Sequence, residues 1–211
     1  MFKNIVLVFT FLLCFSEAEA QDLFHIGVRA NLVTAGGEPA NDILSYGVQA
    51  RYRLNERWLI GAALDEAEYD FELPLVVLGL EQDPGVEPID ATVSSTMISG
   101  WVEREFGRNG SSTRWFWTAG AGVAEPDVDD LTGPLLGGGV FALTTDAGSE
   151  VIVSLSGGVR RNVGSHFSLE FALRADHHIS EWDVRDRVSG RTGKTGDYTG
   201  LGAHGGFGFR F

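Results

Sequence analysis

The chain has 211 residues, a formal net charge of −13, 44% hydrophobic residues and a single cysteine. This length suits one domain or at most two, and the hydrophobic fraction excludes a disordered chain. One cysteine excludes a disulfide framework and a cysteine-rich zinc module, and the acidic balance argues against nucleic acid as the main partner. Past the N-terminus no apolar run reaches the roughly 20 residues of a membrane-spanning helix. We expect no cofactor.

The N-terminal segment has the organisation of a secretory signal peptide. Lys3 precedes an uncharged, mostly apolar run from Ile5 to Ser16, and the sequence Ala18-Glu19-Ala20 follows. A basic start, a short apolar region and an A-x-A site are the three parts of such a signal. We predict that residues 1–20 are a signal peptide cleaved between Ala20 and Gln21, which would also remove the cysteine.

The rest of the chain alternates apolar and polar residues with a period of two. Strict alternation predicts β-strands with two different faces, and no long segment has the helical period. In the second segment Leu44, Tyr46 and Val48 alternate with Ser45, Gly47 and Gln49. We predict eight strands of this kind, at residues 24–32, 44–54, 58–65, 91–106, 114–123, 151–160, 167–176 and 200–211.

The register of the fourth segment is ambiguous. We place Thr96, Ile98 and Val102 on its apolar face, because the other choice would put Glu103 and Glu105 there. A β-bulge could shift this register.

The connections alternate in length along the chain. Those at residues 55–56, 107–112 and 162–165 are short, whereas 66–90, 125–149 and 179–197 are long and 33–43 is intermediate. Short turns at one end and long loops at the other predict an all-β fold, an eight-stranded antiparallel up-and-down barrel.

The polar face of the strands carries many arginines, acids and glycines. An eight-stranded barrel has an interior only wide enough for side chains, so inward glycines would make room for large charged neighbours. On the outside of a soluble barrel so many glycines would weaken the strands without a reason. We therefore predict an apolar face in lipid, with aromatic residues near the short turns, and a charged lumen network. Its predicted members are Arg29, Arg51, Arg53, Asp65, Glu103, Glu105, Arg114, Arg160, Glu170, Arg174, Asp176, His204 and Arg210.

The signal sequence, the eight alternating segments and the final Gly206–Phe211 run resemble the small outer-membrane β-barrel superfamily of Gram-negative bacteria. The resemblance covers residues 21–211 and identifies no subfamily. It implies one transmembrane β-barrel domain in the cell outer membrane, with short periplasmic turns and long extracellular loops. It also implies a monomer in contact with membrane lipid and lipopolysaccharide. Phe209 and Phe211 would then be the signal that the barrel-assembly machinery reads.

The lumen leaves two hypotheses open for function. A network of ion pairs would plug the barrel and give it a structural, envelope-integrity or surface-interaction role, because buried charges must be paired. The alternative is a narrow channel or a transporter of small apolar solutes. The apolar stretches Leu73–Leu80 and Leu135–Leu143 could extend strands above the membrane or pack over the barrel mouth. They could also meet a partner or form an entrance for apolar solutes.

Two weaker site hypotheses lie in the long loops. Asp127, Asp129 and Asp130 are oxygen ligands suited to a divalent cation, although their spacing matches no EF-hand. His178, Ser180 and Glu181 resemble the lipid A deacylase family, in which serine, histidine and an acid act at the outer leaflet. Our register turns His178 inward, whereas that family's residues face the lipid, so we expect no enzymatic activity.

Overall fold

The structure, a computed structural model, describes residues 23–35, 42–73, 89–107, 111–134, 140–194 and 196–211. The predicted signal peptide and its cleavage site at Ala20 and Gln21 lie outside these residues. No helix among the described residues is long and apolar enough to cross a membrane. The strands are β1 (Phe24–Ala35), β2 (Ile43–Arg53), β3 (Trp58–Leu73), β4 (Ile89–Phe106), β5 (Thr113–Val128), β6 (Leu131–Pro134), β7 (Val140–Ala147), β8 (Glu150–Val163), β9 (Phe167–Ile179), β10 (Trp182–Asp186), β11 (Thr192–Lys194) and β12 (Tyr198–Arg210).

Eight of these strands close into an antiparallel barrel in the order β1-β12-β9-β8-β5-β4-β3-β2. The first and last strands complete it, with pairs from His25↔Arg210 to Ala35↔Gly200. Closure removes the free edges of the sheet, so the backbone groups of these strands bond to each other. The predicted eight-stranded barrel is confirmed.

The fourth strand has the predicted register. Its pairing with β3 runs without interruption from Trp58↔Arg104 to Leu73↔Ile89, so no bulge interrupts this pairing. Ile98 and Val102 face outward with 65% and 42% of their surface exposed, whereas Glu103 and Glu105 are buried inside.

The predicted boundaries of the long loops are wrong, because β3, β4 and β5 continue well beyond the apolar segments. On β3 the outward residues are apolar up to Leu64, but Glu66 and Glu68 follow, while Ala67 and Tyr69 are buried. The neighbouring β4 changes at the same level, since Leu64 pairs with Ile98 and Glu66 with Thr96. On the other neighbour, β2, the exposed Tyr46 and Leu44 still lie opposite Glu66 and Glu68. On β3 the alternation persists with its polarity reversed, as expected where the surroundings of a barrel change from lipid to water.

A second sheet, which the sequence did not predict, lies at the end of the barrel with the long connections. Its order is β11-β10-β7-β6, and β10 joins β7 through pairs from Trp182↔Ala147 to Asp186↔Leu143. We call it the cap sheet. Trp182 is fully buried and stacks on Phe71 of the barrel with ring centroids 4.3 Å apart.

The cap sheet and the extended barrel strands share an apolar core. It contains Phe71, Val93 and Tyr198 of the barrel together with Phe141, Leu143, Trp182 and Val184 of the cap sheet. In the described part of the apolar stretch Leu135–Leu143, Phe141 and Leu143 therefore pack inward, whereas Val140 is exposed. Residues 74–80 and 135–139 of the two apolar stretches lie outside the described residues.

Asp186 fastens the turn after β10 to strand β7. Its carboxylate accepts hydrogen bonds from the backbone N–H groups of Ala142, Val188 and Ser189 at 3.0–3.1 Å. Hydrogen bonding, led by that from the Ser189 side chain, holds the pKa of Asp186 well below its usual range. A carboxyl with a lowered folded-state pKa stabilises the fold fully above its unfolded value of about 3.9, and the effect is lost as pH falls through the folded value.

We predict that Asp186→Ala frees the turn between β10 and β11. Trypsin at neutral pH should then cleave after Arg187 and Arg191 faster than in the wild-type protein, because three backbone N–H groups lose their acceptor. The matched control is Asp183→Ala on the same strand, whose exposed carboxylate lies 3.5 Å from Lys194 Nζ. Equal cleavage rates in the two variants would contradict the role given to Asp186.

Candidate functional site

Arg160 of β8 lies at the centre of the lumen and binds three carboxylates. Its Nη1 lies 2.7 Å from Glu103 Oε1 and 2.7 Å from Glu105 Oε1, and its Nη2 lies 3.1 Å from Glu170 Oε2. The Arg160 side chain is 2% exposed and the Glu103 side chain is fully buried. Ion pairs so thoroughly removed from water are stable only when each charge is paired and hydrogen-bonded.

The opposite wall of the barrel reaches the same carboxylates. From β2, Arg51 Nη2 donates to Glu170 Oε1 at 2.5 Å, and Arg51 Nε lies 3.3 Å from Glu103 Oε2. Gln49 Nε2 donates to the same Glu170 oxygen at 2.8 Å, and His204 Nε2 lies 3.7 Å from it. Strands β2 and β8 are four places apart in the ring of eight, so the network crosses the full width of the lumen.

Two further ion pairs lie on the long-loop side of this centre. Arg29 forms a bidentate pair with Asp65 and donates to Ser99 Oγ at 3.1 Å. Arg174 Nε donates to Asp176 at 2.7 Å.

The guanidinium of Arg53 and that of Arg114 lie on the short-turn side. They contact Glu105 Oε2 at 2.9 and 2.7 Å, respectively. Arg210, near the end of β12, donates to the carbonyl oxygens of Gly164 and Ser165 at 3.2 and 2.9 Å. With these three residues, every predicted member of the lumen network lies on the inner face of the barrel.

Aromatic rings fill the space between the charged layers. The guanidinium carbons of Arg29 and Arg51 lie 5.2 and 5.7 Å from the ring centre of Trp101, and that of Arg160 lies 4.9 Å from Phe116. Gly61 makes room for Trp101, because a Cβ at this glycine would lie 2.3 Å from the indole ring. Gln49, Trp101 and Phe116 are not among the lumen residues predicted from the sequence, although their inward positions in the alternation were a usable signal.

Two small cavities border the network among the residues that the structure describes. A cavity of about 20 Å³ lies on its long-loop side, lined by Arg29, Trp101 and Arg174 among others. Another of about 10 Å³ lies on its short-turn side. One water molecule needs about 10–15 Å³ measured in this way, so each cavity has room for about one water.

The residues of the hypothetical hydrolase contact three different partners. His178 is buried, with Nδ1 3.1 Å from Glu150 Oε2 and its ring stacked on Tyr198. Ser180 Oγ donates to the carbonyl oxygen of Gly196 at 3.3 Å. Glu181 is exposed and forms an ion pair with Lys194. The structure gives this histidine and this serine separate partners rather than a nucleophile–base pair.

The three aspartates proposed for a cation are exposed and have separate surroundings. Asp127 lies near the end of the barrel strand β5 and pairs with Ser94 of β4. Asp130 Oδ2 lies 3.2 Å from Arg187 Nη2. Asp129 lies between β5 and β6. The described residues contain no group of three or more acids, histidines or cysteines that could hold a metal ion, so a site built from these three is wrong for this part of the chain.

Aromatic side chains surround the short-turn end of the barrel. Phe209 packs edge-on against Phe167 and Phe211, with ring centroids 5.3 and 4.8 Å apart. On the other side of the barrel Trp58 packs edge-on against Trp117 at 5.9 Å. This is where the interfacial aromatic residues of a membrane barrel lie. The predicted role of Phe209 and Phe211 in assembly stays a prediction.

Comparisons with solved structures give the fold class directly. The chain superposes on the outer membrane protein OprG from Pseudomonas aeruginosa with a TM-score of 0.65, over 89% of this chain and 95% of that one, at 9% identity. The fold is that of a small outer-membrane β-barrel. Neisserial surface protein A gives a TM-score of 0.53 over 89% and 97% of the two chains, at 15% identity. No protein-family model and no curated protein matches the sequence.

We predict that Arg160→Met strongly destabilises this barrel. The variant keeps most of the side-chain volume but removes the cation that Glu103, Glu105 and Glu170 share, and breaking a buried ion pair costs about 3–5 kcal/mol. Urea-induced unfolding in phospholipid vesicles, followed by tryptophan fluorescence, measures this loss.

The matched control is Arg187→Gln, which removes the exposed pair with Asp130. That pair should contribute less than about 1 kcal/mol. If both variants had the wild-type free energy of unfolding, the lumen network would have no part in the stability of the barrel.

Proposed function

We propose that this chain is an integral outer-membrane protein with a structural, envelope-integrity role. One observation carries the proposal. Arg160 and Arg51 extend from opposite walls of the barrel and bind the same two carboxylates, those of Glu103 and Glu170, so that one network of ion pairs spans the lumen. A barrel crosslinked in this way resists deformation, and its described residues leave no water-filled passage through the network. Both properties suit a rigid membrane component.

The exterior of the barrel supports a membrane location. Between the aromatic residues of the short-turn end and the level of Leu64, most outward side chains are apolar and exposed, as in a surface covered by lipid. Representative members are Val28, Val48, Ile60, Ile98, Val123, Val153, Leu155, Leu169, Phe171, Leu173 and Phe207. Arg161 and His177, which pair with Leu169 and Val153, are charged or polar exceptions at the two ends of this surface. The resemblance to known barrels adds contact with lipopolysaccharide, insertion by the barrel-assembly machinery and a monomeric state, which are parts of the same proposal.

A surface-interaction role is compatible with this proposal and rests on the part of the molecule beyond the lipid-facing surface, where the barrel strands β3 and β5 continue beside the cap sheet. Beyond the lipid-facing part, Glu66, Glu68 and Asp70 turn outward on β3 and Glu125 and Asp127 on β5, so the projecting surface is acidic. A projecting, charged and well-packed surface suits contact with other molecules outside the cell.

The channel hypothesis has less support. A continuous passage would need to pass both the ion network and the apolar core under the cap sheet, where Phe71 and Trp182 stack. The Leu135–Leu143 stretch turns Phe141 and Leu143 into that core rather than toward an opening. Lipid A hydrolysis has the least support, because His178 and Ser180 have separate partners.

We predict that the mature protein, reconstituted into planar lipid bilayers, produces no single-channel current steps. The ion pairs of Arg160 occupy the width of the lumen, and the cavities beside them each hold about one water. A general porin added afterwards to the same bilayers is the positive control for the recording. Reproducible steps of uniform size, with a current proportional to voltage, would favour the channel instead.

A further inference from the structure

The short-turn end of the lumen contains a small cavity whose walls are strongly basic. It has a volume of about 10 Å³ and lies among side chains close to the barrel turns. Four arginines, one histidine and a single acid contribute to its lining, namely Arg53, Arg114, Arg160, Arg210, His25 and Glu105. Side chains of one charge sign gathered around a recess focus the electric field there, and basic side chains therefore raise the local concentration of anions.

The pairing of the network leaves positive charge in excess at this end. In the centre Arg51 and Arg160 balance Glu103 and Glu170. The long-loop side has two one-to-one ion pairs whose charges cancel, Arg29 with Asp65 and Arg174 with Asp176. Arg53 and Arg114 then share one carboxylate, Glu105, and both contact its Oε2 atom. Of these two arginines, one therefore has no carboxylate of its own.

His25 contributes a second and independent observation. Its side chain lines the cavity, the residue is 3% exposed, and both ring nitrogens are buried without a hydrogen-bond partner. A buried imidazole ordinarily satisfies at least one of its nitrogens, because leaving a polar group unpaired costs free energy. Its ring N–H is a donor available to a group inside the cavity.

We propose that this cavity is a binding site for one small inorganic anion of halide size. The anion would accept a hydrogen bond from the ring N–H of His25. It would also neutralise the one positive charge that remains after Arg53 and Arg114 share Glu105. The volume of about 10 Å³ suits a single atom rather than a tetrahedral oxyanion. Arg53 and Arg114, whose side chains are 14% and 24% exposed, form the wetter wall through which the anion would exchange.

The site can be tested by NMR on the full mature protein in detergent micelles, with ¹⁵N-labelled histidine. Sodium chloride replaces sodium gluconate at constant ionic strength. We expect the ring nitrogens of His25 to shift saturably with chloride, whereas those of the exposed His166 stay unchanged. In Arg114→Gln the half-saturating concentration should rise by about tenfold, the effect of one lost charge-assisted hydrogen bond.

The matched control is Arg191→Gln, an exposed arginine of the turn between β10 and β11, which should titrate as the wild type does. Heat-modifiable migration on gels verifies that each variant is folded. Unchanged His25 resonances in the wild-type protein at molar chloride would overturn the proposal. A saturable shift with inorganic phosphate and none with chloride would overturn the assignment of a halide-sized ligand.

Discussion

The barrel depends on a single interaction, the binding of three carboxylates by the buried guanidinium of Arg160. Removing these charges from water would cost several kcal/mol each without partners, so their geometry has to be nearly complete. Glu103 and Glu105 come from β4, Glu170 from β9, and Arg51 completes the group from β2. The network therefore fixes the distances between strands that share no backbone hydrogen bonds.

Along its axis the molecule has two interiors with different chemistry. In the lipid-facing part the outside is apolar and the inside is charged. Lipid surrounds the apolar side chains, and the charged side chains pair with each other inside the lumen. Above the level of Leu64 strands β3 and β5 carry acids on the outside, and the inside holds Tyr69, Phe71 and Trp182 in an ordinary apolar core. One continuous strand such as β3 serves both parts, because alternation requires only that the two faces differ.

The sequence predicts the first part well and the second poorly, for a physical reason. Alternation with apolar residues outward identifies a barrel strand in lipid. This pattern predicted all eight barrel strands and which residues of each strand point outward. The continuation of β3 through Glu66, Glu68 and Asp70 also alternates, but its acids resemble a solvated loop. The cap sheet was missed because its short strands are specified by contacts with the barrel, such as Trp182 on Phe71. The partners of each lumen charge depend on strand register, which composition does not contain.

The central claim is that Arg160 is held in a lumen closed to water. The most direct measurement is hydrogen exchange of the arginine side-chain N–H groups, followed by NMR in lipid nanodiscs. The account predicts that the Arg160 Nε–H, bonded to Glu170 at 3.1 Å, exchanges far more slowly than that of the exposed Arg187. Exchange of Arg160 as fast as that of Arg187 would contradict a closed lumen.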